Sequence, residues 1–509
     1  MMKEYAKTEL QERFFASREK FEKLAEKLGG EKAARLEHAE IEEMIDNDGR
    51  AILRQLMQDH LELRACREKR RGEVAGADGN TRTHCRENTR RGLRVIFGDV
   101  DVMRMAYSGR EMSGLFPLDA ELNLPPDTYS HGLERRICED AVKMSFDAAV
   151  ESVERTTGVH VPKRQAEELV QKAASDFDTF YEARAAAGAQ QSGDLLVLST
   201  DGKGVVVRTC DLREETRKRA EREKQKRRRK RLPPGHKRNR KRMGTVAAVY
   251  SVARHVRTAE EVMGVAALPE GVTRLPDRRP RPTDKRVWAS LAKEPDLVMD
   301  GVFLEALKRD PDKQRCCVFL VDGELEQLAR VRDFAELYEV DLTVVCDFIH
   351  VLEYLWDAAH CFCPVGSDEA EKWVVQRAIE VLRGNSSEVA GGIRRSATLR
   401  GLSRKNRKAA DDCARYLTNH REYLRYDEYL AAGYPIATGV IEGACRHLVN
   451  DRLGVTGARW SLCGAEAVLK LRALWASGDL EKYWAFRRKA ELKRNHLSHY
   501  AENPKRSAS

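Results

Sequence analysis

The 509-residue chain lacks the cysteine spacings that mark zinc ribbons, redox motifs and disulfide frameworks. Its 12 cysteines include no CxxC pair and follow no regular pattern. Such cysteines are typical of free thiols in a reducing compartment. One local set, Cys346, His350, His360, Cys361 and Cys363, contains metal-ligand residue types, but its spacing fits no standard zinc finger. We therefore expect an intracellular protein whose thiols are mostly buried and unpaired.

Long apolar runs are also missing from the sequence. No stretch approaches the roughly 20 apolar residues that a membrane-spanning helix needs. The first residues, MMKEYAKTELQERFF, are polar and of mixed charge, unlike a secretory signal peptide. These absences predict a soluble cytoplasmic protein with no membrane partner.

Positive charge is abundant but concentrated in one segment. The chain has a net charge of +10, whereas residues 213–242, the basic arm, carry 17 Lys or Arg and 4 Glu, a net +13. Residues 213–226 alternate in charge and also fit a solvated helix, but the later cations have no acids to offset them. A local block of this sign indicates a polyanionic partner. The candidate DNA contacts in the arm are Arg227, Arg228, Arg229, Lys230, Arg231, Lys237, Arg238, Arg240, Lys241 and Arg242.

The N-terminal quarter of the chain divides into a helical and a β-rich part. Apolar residues at three- and four-residue spacing up to about Cys66 predict helices, with a break at Gly29. Glu68 to Arg91 is polar and contains glycines, which is typical of a linker. Alternating apolar residues from Leu93 to Met105, around Gly98-Asp99, predict a hairpin.

The stretch after the hairpin has the pattern of a helix-turn-helix unit. Ser145 or Asp147 is placed to cap a helix that ends before Gly158, and a second helix follows with basic residues at its start. Lys163 and Arg164 in that second helix are candidate DNA contacts. The same pattern also fits two helices that merely pack together.

Three acids interrupt otherwise apolar segments. Leu195 to Val207, LLVLSTDGKGVVV, predicts a strand buried on both faces, yet Asp201 lies in its middle. Cys316 to Asp322, CCVFLVD, is a second apolar run closed by an acid, and Glu442 lies on an apolar helical pattern. Burying an ionised carboxylate is costly unless it is paired or binds a metal. Two strand-borne aspartates and a helix-borne glutamate therefore predict a carboxylate metal site.

Strands and helices alternate between these acids, which predicts a mixed α/β sheet covered on both faces. Thr245 to Ala253 and Leu342 to Cys346 are expected strands, and Thr283 to Leu307 an expected helix. The expected domains are a helical N-terminal region and linker (1–90), a β-hairpin and loop (91–128), a helix-turn-helix-like unit (129–190), the first part of the α/β core (194–361), an all-α insertion (362–430), the last part of the core with the Glu442 helix (431–478), and a polar C-terminal tail (479–509).

Four motifs carry a family resemblance: TDGKG at 200–204, VDGE at 321–324, DFIH at 347–350 and TGVIEG at 438–443. Together they resemble the DDE transposases of bacterial insertion sequences, and within them the Kra group, which is related to the Mutator-like superfamily. The resemblance implies a ribonuclease-H-like catalytic core with an all-α insertion. It also implies catalytic, metal-binding acids at Asp201, Asp322 and Glu442, and a D-x-x-H element at Asp347 and His350.

Strand transfer chemistry accounts for such a set of carboxylates. A hydroxyl from water or a DNA 3′ end attacks a phosphodiester in line, and two Mg²⁺ or Mn²⁺ ions can stabilise the entering and leaving oxygens. These hard ions prefer oxygen ligands, and Asp201 is the expected bridging one. Arg446, four residues after Glu442, fits an ion pair with that acid or a phosphate contact. His350 fits an oriented core histidine or an active-site role.

The expected partners are double-stranded DNA, as terminal inverted repeats and as target, and further copies of the chain. Two other classes of function remain open. A structure-specific nuclease or resolvase would share the three acids but would not need end-binding domains. A non-catalytic DNA-binding regulator would use the helix-turn-helix unit and the basic arm and would have no use for the acids.

Overall fold

A computed structural model describes residues 12–184, 195–226, 240–265, 279–455 and 457–502. Within the basic arm, Arg227–Arg231, Lys237 and Arg238 lie outside these residues. The chain divides into two compact units, one formed by residues 1–182 and 480–509 and the other by residues 183–479. None of the helices among the described residues is long and apolar enough to cross a membrane.

The first unit begins with helices and a hairpin. Its elements are α1 (Phe15–Gly29), α2 (His38–Cys66), β1 (Val74–Ala75), β2 (Thr81–Arg82), β3 (His84–Val95), β4 (Gly98–Ser108) and α3 (Pro117–Leu122). The predicted hairpin is confirmed and is longer than expected, because β3 pairs with β4 from His84 to Val95. The expected linker at 68–91 is therefore wrong in its second half. Polar residues of β3 pair there with the more apolar β4, which the composition of one strand cannot reveal.

The helix-turn-helix-like segment has the expected helices. They are α4 (His131–Ala141), α5 (Phe146–Thr157), α6 (Lys163–Ala173) and α7 (Phe177–Ala183). The Ser145 hydroxyl caps α5 by accepting from the Ala148 amide at 3.1 Å. Gly158 ends α5 in the left-handed region, with φ of +70°. Val153 and Ala166 are buried in the shared core of these helices.

The second unit is a mixed α/β domain. Its first elements are β5 (Leu195–Val206), α8 (Glu214–Lys226), β6 (Lys241–Val252), α9 (Ala259–Met263), β7 (Thr283–Ser290), α10 (Pro295–Arg309), β8 (Cys317–Val321), α11 (Leu325–Leu337), β9 (Leu342–Cys346) and α12 (Phe348–Ala359). The five strands form one sheet in the order β7-β6-β5-β8-β9. The pairs β7–β6 and β6–β5 are antiparallel, whereas β5–β8 and β8–β9 are parallel. The predicted mixed α/β core with central apolar strands is thus confirmed at this level.

One expectation in this unit needs correction. The single helix predicted over Thr283 to Leu307 is wrong, because its first part is β7, which pairs with β6, and its second part is α10, with Pro295 in the first turn. Closely spaced apolar residues at the end of β7 fit a buried strand as well as a helix. Within the basic arm, the segment of alternating charge forms α8, and the last two residues, Lys241 and Arg242, are the first residues of β6.

The end of this unit is helical. Its elements are α13 (Asp368–Leu382), α14 (Ser386–Leu399), α15 (Lys408–Asn419), α16 (Tyr426–Ala431), α17 (Gly439–Ala444), a π-helical turn (Cys445–Asn450), α18 (Asp451–Leu453) and α19 (Leu462–Ala476). Helices α13 to α16 lie between α12 and α17 in the chain, where the all-α insertion was expected. Short 3₁₀ helices cover Ala33–Arg35, Thr209–Asp211, Arg421–Tyr423 and Leu497–His499.

The polar tail expected over 479–509 is wrong for most of its length. Residues Leu480–Asn495 form α20, which belongs to the first unit. Arg487 of α20 is buried and donates to Asp176 at 2.9 Å, to Glu134 at 2.8 Å and to Glu491 at 2.7 Å. Because these partners satisfy each other's charge, a segment with a polar sequence becomes part of a packed interior.

Candidate active site

The parallel pairing of β5 with β8 brings Asp201 and Asp322 to the same part of the sheet. Ser199 of β5 pairs with Leu320 of β8, and each aspartate comes two residues after one of these paired residues. Asp201 lies within β5, whereas Asp322 directly follows β8. The fold therefore brings together two carboxylates that are far apart in sequence.

Asp347 is a third acid at this part of the sheet, and it directly follows β9. Val321 pairs with Cys346 of β9, so Asp347 follows level with Asp322. Asp347 is 0% exposed and caps α12, accepting from the Ile349 amide at 3.0 Å. A fully buried carboxylate needs several donors, and this one has a further set from outside the sheet.

That further set comes from Thr438, immediately before the helix that carries Glu442. The Thr438 hydroxyl lies 2.6 Å from Asp347 Oδ2, and its backbone amide donates to Oδ1 at 3.3 Å. The same hydroxyl lies 3.1 Å from Glu442 Oε1. Since a hydroxyl has one hydrogen, it can donate to only one carboxylate at a time. Thr438 thus fixes the start of α17, and with it Glu442, to the end of the sheet.

Cys445 forms a second link between α17 and the sheet. Its thiol donates to Asp201 Oδ2 at 3.0 Å. Burial, with the hydrogen bond to Asp201 as a further cause, raises the pKa of this thiol well above its usual value. Cys445 is the first residue of the π-helical turn, a form of backbone that is frequent at functional sites.

Among the described residues, the three predicted acids have no cationic partner of their own. Asp201 and Asp322 are half-buried and Glu442 is exposed. Across the parts of the chain that the structure describes, no Lys or Arg lies within ion-pair distance of any of them. Asp201 accepts from the Gly202 amide and Asp322 from the Glu324 amide, so each keeps oxygen lone pairs for another ligand. The metal-ligand atoms that these three acids offer are all carboxylate oxygens, which Mg²⁺ and Mn²⁺ prefer.

The acids do not, however, close into a tight cage. Of the groups of three potential ligand residues among the described residues, only His131, Glu134 and Glu491, in the first unit, have ligand atoms all within 4.8 Å of one another. In that group Arg487 already donates to both glutamates, at 2.8 Å and 2.7 Å, so it is an internal ion network. The ligand atoms of Asp201, Asp322 and Glu442 do not all lie within 4.8 Å of one another.

His350 lies beside Asp347, one turn into α12. Its Nδ1 is 3.3 Å from Asp347 Oδ2, and this hydrogen bond is the main cause that raises the pKa of His350 to about 9. The imidazole is therefore mainly cationic at neutral pH. A protonated imidazole cannot ligate a metal, which favours a positioning or phosphate-facing role for this residue.

The other predicted contacts are placed as follows. Arg446 lies in the π-helical turn and is exposed, and its side chain has no hydrogen bond or ion pair with a described residue, Glu442 included. Lys163 pairs with Asp147 at 2.7 Å and Arg164 with Glu168 at 3.1 Å, both on the surface. Of the candidate DNA contacts in the arm, three lie within the described part of the chain: Arg240, exposed Lys241, and Arg242, which donates to the Leu291 carbonyl at 2.7 Å.

The helical insertion braces the turn that carries Asp322, which sequence reasoning missed. Tyr416 of α15 donates its hydroxyl to the Asp322 carbonyl at 3.0 Å, and His420 Nε2 lies 2.8 Å from the Gly323 carbonyl. Gly323 has a φ of +95°, and a Cβ there would lie 2.8 Å from the Tyr416 hydroxyl. The turn therefore requires glycine, and the insertion determines its position.

The carboxylate oxygens of Asp201, Asp322 and Glu442 are ligands of the kind that divalent cations take, and a cationic histidine lies beside Asp347. Such a set suits reactions in which negative charge develops on phosphate oxygens. No protein-family model matches this chain, and a search of curated proteins found no similar sequence. The chemistry of the site therefore rests on the geometry of its own residues.

Proposed function

We propose that the chain is a DDE-type DNA transposase that cleaves and joins phosphodiesters with divalent metal ions. The observation that carries the proposal is that Asp201 and Asp322 each come two residues after the last pair of the parallel β5–β8 ladder, and that the helix of Glu442 is linked to Asp347 through Thr438 and to Asp201 through Cys445. The five-stranded mixed sheet, interrupted by helices before Glu442, is compatible with the ribonuclease-H-like core that the resemblance implies.

In this proposal each acid has a defined part. Asp201, Asp322 and Glu442 would hold two Mg²⁺ or Mn²⁺ ions, which supply stabilisation of the entering and leaving oxygens when they are bound. Thr438 and Asp347 orient Glu442. The cationic His350 and the exposed Arg446 would hold a DNA phosphate that approaches the acids.

The proposed partner is double-stranded DNA, as the terminal inverted repeats of an insertion sequence and as a target. Copies of the chain would assemble on the two ends, in the bacterial cytoplasm at the nucleoid. The basic arm supports this partner by its net charge of +13 over residues 213–242. Its lysines and arginines would contact phosphates, which sets affinity and not sequence choice.

Two experiments in sequence test the proposal. Binding of the full chain to random genomic fragments, read by sequencing, identifies candidate terminal repeats. A labelled duplex with such an end is then incubated with the protein and Mn²⁺, and nicking followed by joining to a second duplex is expected. Cleavage of branched DNA without joining would support a nuclease or resolvase instead. Binding without cleavage, unchanged in Asp201→Asn, would support a regulator and contradict the proposal.

A further inference from the structure

The helical insertion carries a basic surface that lies outside the acid cluster. Between Val389 and Ala410 the chain has seven Lys or Arg and no Asp or Glu. This segment covers the second half of α14, the connecting turn and the first turn of α15, and Arg407 Nη1 lies 3.5 Å from Thr398 Oγ1 across the pair. We call five of its exposed side chains the insertion basic face: Arg394, Arg395, Arg404, Lys405 and Lys408.

The charge of this face is not neutralised within the described parts of the chain. Four of its five side chains, Arg394 excepted, form no hydrogen bond or ion pair with a described residue. Arg394 reaches only the Thr418 hydroxyl, at 3.3 Å. The next acids in the sequence, Asp411 and Asp412, are already paired with other arginines, Asp411 with Arg407 at 2.9 Å. The face therefore presents uncompensated positive charge to the solvent.

Local helix stability does not explain the cation at Lys408. Cations stabilise a helix at its C-terminus and destabilise it at its N-terminus, because of the helix dipole. Lys408 is the first residue of α15, and Arg407, its N-cap, makes no capping hydrogen bond through its side chain. A solvated face of mixed charge would contain acids, and this segment has none.

Two consecutive glycines next to the face indicate a partner that approaches closely. Gly391 and Gly392 are exposed and lie inside α14, where glycine lowers helix stability relative to alanine. A Cβ at either position would meet nothing within 4 Å, so packing within the described residues does not require glycine. Arg395 follows at the three- and four-residue spacing that shares a helix face. Open backbone beside cations suits a polyanion backbone.

We propose that the insertion basic face binds the phosphate backbone of duplex DNA, as a contact separate from the basic arm. This inference rests on the proposed function. Helix α15 connects the face to the active site, because its Tyr416 contacts the Asp322 carbonyl at 3.0 Å. The 12 residues of α15 span ~18 Å, which corresponds to about five base-pair steps of a duplex. The same duplex can therefore lie on the face and reach the acids.

The test measures how the full chain binds a fluorescent random-sequence duplex at several salt concentrations. In the variant Arg395→Ala/Arg404→Ala/Lys405→Ala, the slope of log affinity against log salt should fall by about 0.9 for each lost phosphate contact. The ratio of the affinity at 0.1 M salt to the affinity at 1 M salt should fall about eightfold for each lost phosphate contact. The matched control Lys285→Ala/Lys372→Ala/Arg421→Ala removes three exposed cations that also lack a partner among the described residues, and it should bind like the wild type.

A second variant tests the glycines without removing charge. Gly391→Gln/Gly392→Gln should keep or raise thermal stability, since glutamine is a better helix former than glycine, and should weaken binding by blocking close approach. The inference would be overturned if affinity and slope were unchanged in the triple variant, or if the control lost as much affinity. Neither result would contradict the proposed function, which is supported as long as the wild type cleaves and joins DNA. A wild type that binds no duplex overturns both, and a preference for an RNA duplex competitor overturns the assignment to DNA.

Discussion

Replacing Thr438 by valine removes the hydroxyl that links the buried Asp347 to Glu442. That hydroxyl lies 2.6 Å from Asp347 Oδ2 and 3.1 Å from Glu442 Oε1. Valine has nearly the shape of threonine, so the substitution tests the hydrogen bonds rather than the packing. Asp347 is 0% exposed and would keep its other donors, including the Ile349 amide.

The expected losses of stability and of activity differ in kind. A hydrogen bond to a charged group contributes about 1.5–3 kcal/mol, and we expect the free energy of unfolding to fall by about that amount. A ligand displaced by about 1 Å can lower turnover on the order of 100-fold, and we expect a loss of that size in DNA cleavage. Urea denaturation and single-turnover nicking with Mn²⁺ measure the two quantities separately.

Thr438→Ser is the matched control, because it keeps the hydroxyl and loses only a methyl group. We expect it to retain most of the stability and most of the cleavage. Wild-type cleavage in Thr438→Val would refute a role for the link in orienting Glu442. Wild-type stability in that variant would show that water replaces the hydroxyl at Asp347.

Three further predictions concern the acids, the histidine and the arm. We expect cleavage and joining to be abolished in each of the variants Asp201→Asn, Asp322→Asn and Glu442→Gln. Folding and DNA binding should be retained, since neutralising one acid relieves the repulsion among them unless metal is bound. Strand transfer by any one variant would show that its residue is not part of the site. His350→Ala should lower activity without weakening Mn²⁺ binding in a metal titration. Asp347 raises the pKa of His350 from 6.5 to about 9. The pairing of the two residues therefore stabilises the fold fully below pH 6.5, and this stabilisation is lost as the pH rises through about 9. The difference in the free energy of unfolding between wild type and His350→Ala should shrink over that range. Alanine at Arg227–Arg231 should weaken binding to terminal-repeat and random duplexes alike and flatten the salt dependence by about 0.9 per lost contact; a loss limited to terminal-repeat DNA would indicate base reading instead.

The central strands could be predicted because their sequence pattern is strong. A run such as Leu195 to Ser199 is apolar at nearly every position, and it is buried throughout in the sheet. Predictions failed where the stabilising partners are distant or the pattern is ambiguous. Helix α20 reads as a polar tail because the partners of Arg487, Glu134 and Asp176, precede it by more than 300 residues.

Some residues of the candidate site could be found from the sequence, whereas others depend on partners that are distant in the chain. An ionised carboxylate in an apolar strand is costly wherever the chain goes, so Asp201 and Asp322 are conspicuous in the sequence itself. A hydroxyl or thiol carries no such cost, and its importance depends on its partner. Thr438 meets Asp347 across 91 residues, Cys445 meets Asp201 across 244, and Tyr416 meets Asp322 across 94. Sequence reasoning therefore finds the charges that require a ligand, whereas only the fold shows which neutral groups hold them in place.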